Sequence, residues 1–241
     1  MTTVAVFRPD DDRLERALEM LESLGVEPIG DPMLAVERSG RLPGTDADVV
    51  VFTSTTGAEI VEAAGWEPES VTIAAIGPAT EAALERAGYT VEIVPDTYTS
   101  SGLVAALSSS LAAGQSIEVA RSDHGSPVLL EGLADAGFDV SETVLYRLER
   151  PPEAGRSVEA AAAGALDAAL FTSSLTVEHF LEAATERGLE GDVRAWFDGG
   201  VVGVIGEPTA DTAREHDVPV DVVASEATFE TLAREVLEAL E

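Results

Sequence analysis

Apolar residues along this chain come in short unbroken runs rather than in alternation. Thr3–Phe7, Val49–Phe52, Thr72–Ile76, Glu92–Val94, Ser116–Ala120, Ala168–Phe171, Val201–Ile205 and Val220–Val223 carry most of the Val and Ile in this pattern. Runs that are apolar on successive positions predict strands covered on both faces. Helical stretches fall between them, over Asp11–Leu24, Glu81–Ala87, Leu103–Leu111, Thr176–Arg187 and Thr228–Leu240. Several close at a glycine (Gly25, Gly88, Gly188), which suits a left-handed C-cap. Strand and helix in alternation predict an α/β fold with parallel sheets.

Two segments break the rhythm. Pro32–Glu37 and Glu142–Arg150 look extended, and neither leads directly into a strong helix. Pro43-Gly44 follows the first and Pro151-Pro152 the second. Both read as linkers that lie side by side as a two-strand ladder.

The chain also repeats itself. Val51-Phe52-Thr53-Ser54 recurs as Leu170-Phe171-Thr172-Ser173, and Ile76-Gly77-Pro78-Ala79-Thr80 as Ile205-Gly206-Glu207-Pro208-Thr209. In each copy a helix and a short strand follow, with 18 residues from Gly77 to Pro95 and 18 from Gly206 to Ala224. The openings match too: Val4–Pro9 with its helix, and Glu118–Asp123 with its helix. Repeats in the same order imply two similar lobes. With the linkers at 32–44 and 142–152, one lobe is continuous over 45–141. The other joins 1–31 to 153–241. The expected fold is therefore two flavodoxin-like parallel α/β lobes joined by a two-strand β-ladder hinge.

Composition narrows the chemistry. With no cysteine, disulfides, thiolate metal sites and thiol catalysis drop out together. His124, His179 and His216 lie far apart and show no metal-ligand spacing. There is no phosphate loop ending in Lys-Ser/Thr, since lysine is absent. The Asp10-Asp11-Asp12 run reads as the acidic first turn of a helix. Val4–Phe7, followed at once by Arg8 and three aspartates, suits a first strand better than an export signal, and no run is long enough to span a membrane. A cytoplasmic protein is expected.

Arginine supplies all 14 basic residues against 45 acidic ones, for a net charge of −31. Such a chain is repelled by nucleic acid and by anionic membrane. The acids are spread along the chain, which points to a salt-adapted cell where ions screen their mutual repulsion.

In parallel α/β sheets, ligands bind beyond the carboxyl ends of the strands. Thr53-Ser54, Thr172-Ser173 and the Gly77–Thr80 and Gly206–Thr209 turns fall at such ends. Each opens a helix whose first N–H groups and dipole favour an anion. The hydroxyls of Ser54, Thr80, Ser173 and Thr209 either cap those helices or donate to the anion. As a set facing one cleft, these turns suit a ligand with several acid groups.

The residues that carry a family resemblance are Val6-Phe7-Arg8-Pro9, Phe52-Thr53-Ser54, Ala75–Thr80 with Ala87-Gly88, Val94-Pro95, Leu145-Tyr146-Arg147, Phe171-Thr172-Ser173-Ser174 and Ile205–Ala210. In that order and spacing, over nearly the whole length, the chain resembles the uroporphyrinogen-III synthases. The resemblance implies closure of hydroxymethylbilane with loss of water and inversion of ring D. The course runs through an azafulvene and a spiro intermediate, with no metal or organic cofactor. The substrate bears eight carboxylates. Tyr146 matches the family's tyrosine beside the cleft, where it would assist loss of the terminal hydroxyl. Ser54, Thr80, Ser173 and Thr209 match cleft positions, and Thr53, Gly77, Thr172, Ser174 and Gly206 accompany them as substrate-binding candidates. Arg8 and Arg121, after equivalent first strands, meet propionates or pair with a neighbouring acid.

Two departures lower the positive charge near the site. Thr56 stands where many relatives carry a basic residue, and Glu207 reads as an insertion between Gly206 and Pro208. The resemblance also implies a monomer whose product feeds haem, sirohaem or cobalamin, with transient contact to a neighbouring pathway enzyme. The alternatives are a two-lobed small-anion binding module and a non-catalytic tetrapyrrole-sensing relative.

Overall fold

The computed structural model of the chain describes residues 2–68 and 70–240. In chain order its elements are β1 (Thr3–Phe7), α1 (Asp12–Ser23), β2 (Glu27–Gly30), β3 (Ala35–Arg38), β4 (Val49–Phe52), α2 (Thr55–Ala63), β5 (Thr72–Ala75), α3 (Pro78–Arg86), α4 (Ser100–Ser110), β6 (Ser116–Ser122) and α5 (Pro127–Asp135). There follow β7 (Asp139–Glu149), α6 (Arg156–Ala162), β8 (Ala168–Phe171), α7 (Ser174–Glu186), α8 (Glu190–Trp196), β9 (Val201–Val204), α9 (Glu207–Glu215), β10 (Val222–Val223) and α10 (Phe229–Ala239). The chain divides into two compact units, Met1–Ala35 with Glu149–Glu241, and Val36–Leu148.

The first unit holds a parallel sheet in the order β10-β9-β8-β1-β2. Alternate residues of β1 supply its two faces. Ala5 and Phe7 join the cluster under α6 to α9, while Val4 and Val6 pack with Leu14 and Leu21 of α1 and Leu232 and Val236 of α10. Both faces are covered, which is why these strands are apolar without alternation.

The second unit repeats the arrangement. Its sheet runs β3-β7-β6-β4-β5, and beyond β5 a single parallel bridge joins Ala74 to Ile93. Val50 and Phe52 face Ala58, Val61 and Leu84 of α2 and α3; Val49 and Val51 face Leu103, Leu107, Leu129 and Leu133 of α4 and α5. With β4 matched to β8, β5 to β9 and β6 to β1, the strand orders coincide although the chain enters each sheet at a different strand. That is the flavodoxin-like order in the first unit and a circular permutation of it in the second, and the switch point lies between β1 and β8 in one unit and between β6 and β4 in the other.

Several elements depart from the sequence expectation. Glu27–Gly30 pairs with β1 as an edge strand, where Pro28 and a polar opening are tolerated. The segment 142–150 is the later part of an 11-residue strand that pairs with β6 from Asp139 onward. It is a full sheet member, and β3 at its other side pairs the two linker segments as the expected two-strand ladder. Glu92–Val94 shortens to the bridge at Ile93 and the last strand to Val222–Val223. Helix α8 was not anticipated. Gly206 to Thr209 spans the same three steps as Gly77 to Thr80, so Glu207 replaces Pro78 rather than being inserted.

Candidate functional site

The carboxyl end of the second sheet carries a cavity of about 280 Å3. Thr53 and Ser54 border it just beyond β4, Ile76 just beyond β5, Arg121 and Ser122 from β6, and Tyr146 from β7, together with Ser100 and the His124–Ser126 loop. It therefore sits at the β4/β6 switch point.

Ser54 caps α2, its Oγ accepting from Gly57 N at 3.0 Å. The same oxygen accepts from the Tyr146 hydroxyl, also at 3.0 Å. A bulge brings Tyr146 there. Its strand is in register with β6 up to Arg121 opposite Val144, and then Ser122 pairs with Tyr146. Strict alternation would send consecutive residues to opposite faces; the bulge lets Leu145 and Tyr146 both join the α2/α3 cluster. Tyr146 is only 6% exposed.

Arg121 does not offer its charge to the cavity. Its Nε donates to Glu142 at 2.5 Å and its NH1 to Ser126 O at 2.6 Å, with the side chain almost wholly buried. Gly125 makes room for this: a Cβ there would lie 2.5 Å from Arg121 Cδ. Of the two readings of Arg121, the structure contains the pairing with a neighbouring acid.

The loop after β6 supplies a group that the sequence reading passed over. His124 Nδ1 lies 2.9 Å from Asp123 Oδ1. The same Asp123 oxygen accepts from Leu148 N at 3.1 Å, and Asp123 N donates to Tyr146 O at 3.2 Å. Burial works against the Asp123 carboxylate, but the bonds from His124 and Leu148 hold it below the ordinary carboxylate range. Spacing along the chain carried no signal for this group, because the bonds that fix Asp123 come from another strand.

At Gly77, which opens α3 with no side-chain cap, the Tyr98 ring covers the backbone; a Cβ would meet Tyr98 Cβ at 3.3 Å. Thr80, one turn in, is 4% exposed, and its hydroxyl makes no hydrogen bond among the described residues.

The first unit presents the equivalent end differently. Phe7 and Phe171 stack at 4.6 Å beneath it, and Thr172 Oγ1 donates to Phe7 O at 2.9 Å, tying β8 to β1. Ser173, the counterpart of Ser54, makes no cap bond, and its buried Oγ has no partner among the described residues. Ser174 is committed to the helix contact: its Oγ donates to Pro208 O at 3.1 Å and accepts from Thr212 at 2.8 Å. Helix α9 opens at Gly206 without a side-chain cap, and Thr209, 3% exposed, repeats the unpartnered hydroxyl of Thr80.

Arg8 follows β1. Its guanidinium carbon lies 4.7 Å from the Phe229 ring centroid, and NH1 reaches Arg13 O at 3.3 Å. Burial, reinforced by Arg13 and Arg16 against Asp11, lowers its pKa from the ordinary arginine value. Among the described residues it forms no ion pair, so its charge remains available to an anion.

Comparison with known proteins agrees with this architecture. The sequence model of the family described as uroporphyrinogen-III synthase HemD matches residues 14–234. A protein of Methanothermobacter thermautotrophicus, provisionally named a uroporphyrinogen-III synthase, is 31% identical over 202 residues, 78% of this chain and 79% of that protein. A mutant uroporphyrinogen III synthase of Thermus thermophilus shares the fold with a TM-score of 0.67 at 24% identity, covering 100% of this chain and 99% of the other. The Helicobacter pylori uroporphyrinogen-III synthetase does so with a TM-score of 0.65 at 16% identity over the same shares.

Proposed function

The chain belongs to the uroporphyrinogen-III synthase family, and from that premise we propose which of its residues carry the reaction. It is a cyclising hydro-lyase of tetrapyrrole biosynthesis. It closes hydroxymethylbilane to uroporphyrinogen III, with loss of water and inversion of ring D.

Tyr146 assists departure of the terminal hydroxyl. The observation that carries this is its hydroxyl resting on Ser54 at 3.0 Å, at the rim of the β4/β6 cavity. A neutral phenol donates a hydrogen bond without adding charge beside an anionic substrate. Ser54 holds that donor in place until the substrate hydroxyl replaces it as acceptor. As the C–O bond breaks, negative charge grows on the leaving oxygen, and the bond from Tyr146 strengthens.

The substrate carboxylates fall to groups whose hydrogen-bonding capacity is unspent. In the first unit these are Arg8, Ser173, Thr209 and the uncapped starts of α7 and α9 at Ser173 and Gly206. In the second they are Thr53, Thr80 and the start of α3 at Gly77. Backbone N–H groups suit this acidic chain, since they attract carboxylates without needing further cations.

The finer setting is also a proposal. We place the enzyme in the cytoplasm of a salt-adapted cell, as a monomer in transient contact with a neighbouring pathway enzyme. Among the described residues no helix is long and apolar enough to cross a membrane. Screening of −31 charges predicts a melting temperature that rises between 0.1 M and 2 M KCl.

Isomer analysis is the decisive experiment. Purified protein in molar salt converts hydroxymethylbilane mainly to the type III isomer. Recovery of type I alone, the unassisted product, overturns the reading.

A further inference from the structure

We propose that His124 is a substrate-positioning residue: as an imidazolium fixed to Asp123, it holds one substrate carboxylate at the β4/β6 cavity. This rests on the reading of the site as the place where a polycarboxylate is bound.

Four observations converge. His124 lines the cavity together with Ser54 and Tyr146. Its Nδ1 is taken by Asp123 at 2.9 Å; an ionised carboxylate only accepts, so Nδ1 carries a proton and Nε2 is left over. Asp123 is itself anchored to the tyrosine's strand, its N donating to Tyr146 O at 3.2 Å and its carboxylate accepting from Leu148 N at 3.1 Å. The imidazole is thus positioned by the strand that carries the tyrosine. Finally, Arg121, the other cation lining the cavity, is bound to Glu142.

Among the described residues, Asp123 is bound to His124, Arg121 and Tyr146 share the cavity lining with it, and Arg121 is bound in turn to Glu142. Arg121 and Glu142 offset each other. Nε2 of His124 is therefore the nitrogen that a carboxylate entering this end of the unit can meet. The side chain is 47% exposed, which leaves Nε2 within reach of a ligand entering from solvent.

The test uses the whole protein in molar salt with uroporphyrinogen I, a flexible octacarboxylate, as probe. Binding is followed by the probe's effect on the His124 ring resonances and by its affinity at pH 6 and pH 8. The probe's carboxylates stay ionised across this range, so a change of affinity with pH reports on the protein. The unmodified protein binds about tenfold more weakly at pH 8, the worth of one charge-assisted hydrogen bond. His124→Asn binds weakly at both values. His124→Arg, a permanent cation, binds tightly at both. In steady-state assays the Asn substitution raises KM and leaves kcat nearly unchanged. An Asn variant that binds like the parent at pH 6, or a ring resonance the probe does not move, overturns the proposal. Failure to form the type III isomer instead defeats the activity assignment, and the binding measurement still decides the role of His124.

Discussion

The hydroxyls of Tyr146 and Ser54 meet at 3.0 Å although 92 residues separate them in sequence. Ser54 caps a helix with the oxygen that receives the phenol. Local helix stability and the placement of the Tyr146 hydroxyl therefore share one atom.

Tyr146→Phe removes the donor and keeps the ring in its cluster. Stability falls by about 1 kcal/mol, the net worth of one hydrogen bond. The rate of type III formation falls by about 10²-fold, at the lower end for loss of a general acid. Stopped assays with isomer separation, alongside urea unfolding, check both numbers. Equal turnover by the two proteins removes Tyr146 from the mechanism.

The duplicated serines respond differently. Ser54→Ala loses the α2 cap and the Tyr146 acceptor, at a cost of about 1 kcal/mol. Ser173→Ala deletes a buried hydroxyl without a partner, so stability is unchanged or rises. KM rises in the second variant if Ser173 donates to substrate. Thermal denaturation of the two proteins side by side separates capping from binding.

Gly125→Ala places a methyl group against the Arg121 side chain, which is bonded at both Nε and NH1. Displacing it leaves Glu142 unpaired. The expected loss is about 2 kcal/mol, below the cost for a fully buried pair because Glu142 is partly exposed. Chemical denaturation measures this; unchanged stability means that the loop yields instead.

Acid weakens the fold in a predictable window. Asp11 has a pKa below its ordinary value, chiefly through the side-chain bond from Arg13, and Asp123 is lowered despite its burial. In the folded state such carboxyls bind fewer protons than in the unfolded chain. Their stabilisation is present above the unfolded value of about 4 and is lost as pH falls through the lower folded values. The urea midpoint accordingly drops below about pH 4. Asp11→Asn retains a helix-capping side chain and makes that drop shallower.

Much of the architecture was legible along the chain. Val49–Phe52 and Ala168–Phe171 are wholly buried and were readable as such, because a strand covered on both faces needs no alternation. The repeat of Gly77–Thr80 in Gly206–Thr209 announced two alike units, and the shared strand order agrees. Edge strand β2 was not legible, because Pro28 and Glu27 lack a strand pattern and only pairing with β1 makes them one. Nor was the difference between Ser54 and Ser173, which are alike in local context.

What the chain determined by itself was local: where backbone runs extended, where helices start at Ser54 and Thr228, and which faces are apolar. These depend on neighbours a few positions away, so short-range pattern contains them. Tertiary structure decided which side chains became chemistry. Pairing of β6 with β7, with its bulge at Ser122, carries Tyr146 to Ser54, Asp123 to Leu148 and Glu142 to Arg121. Such contacts follow from the register between distant strands, and a one-residue slip would send each side chain to the opposite face.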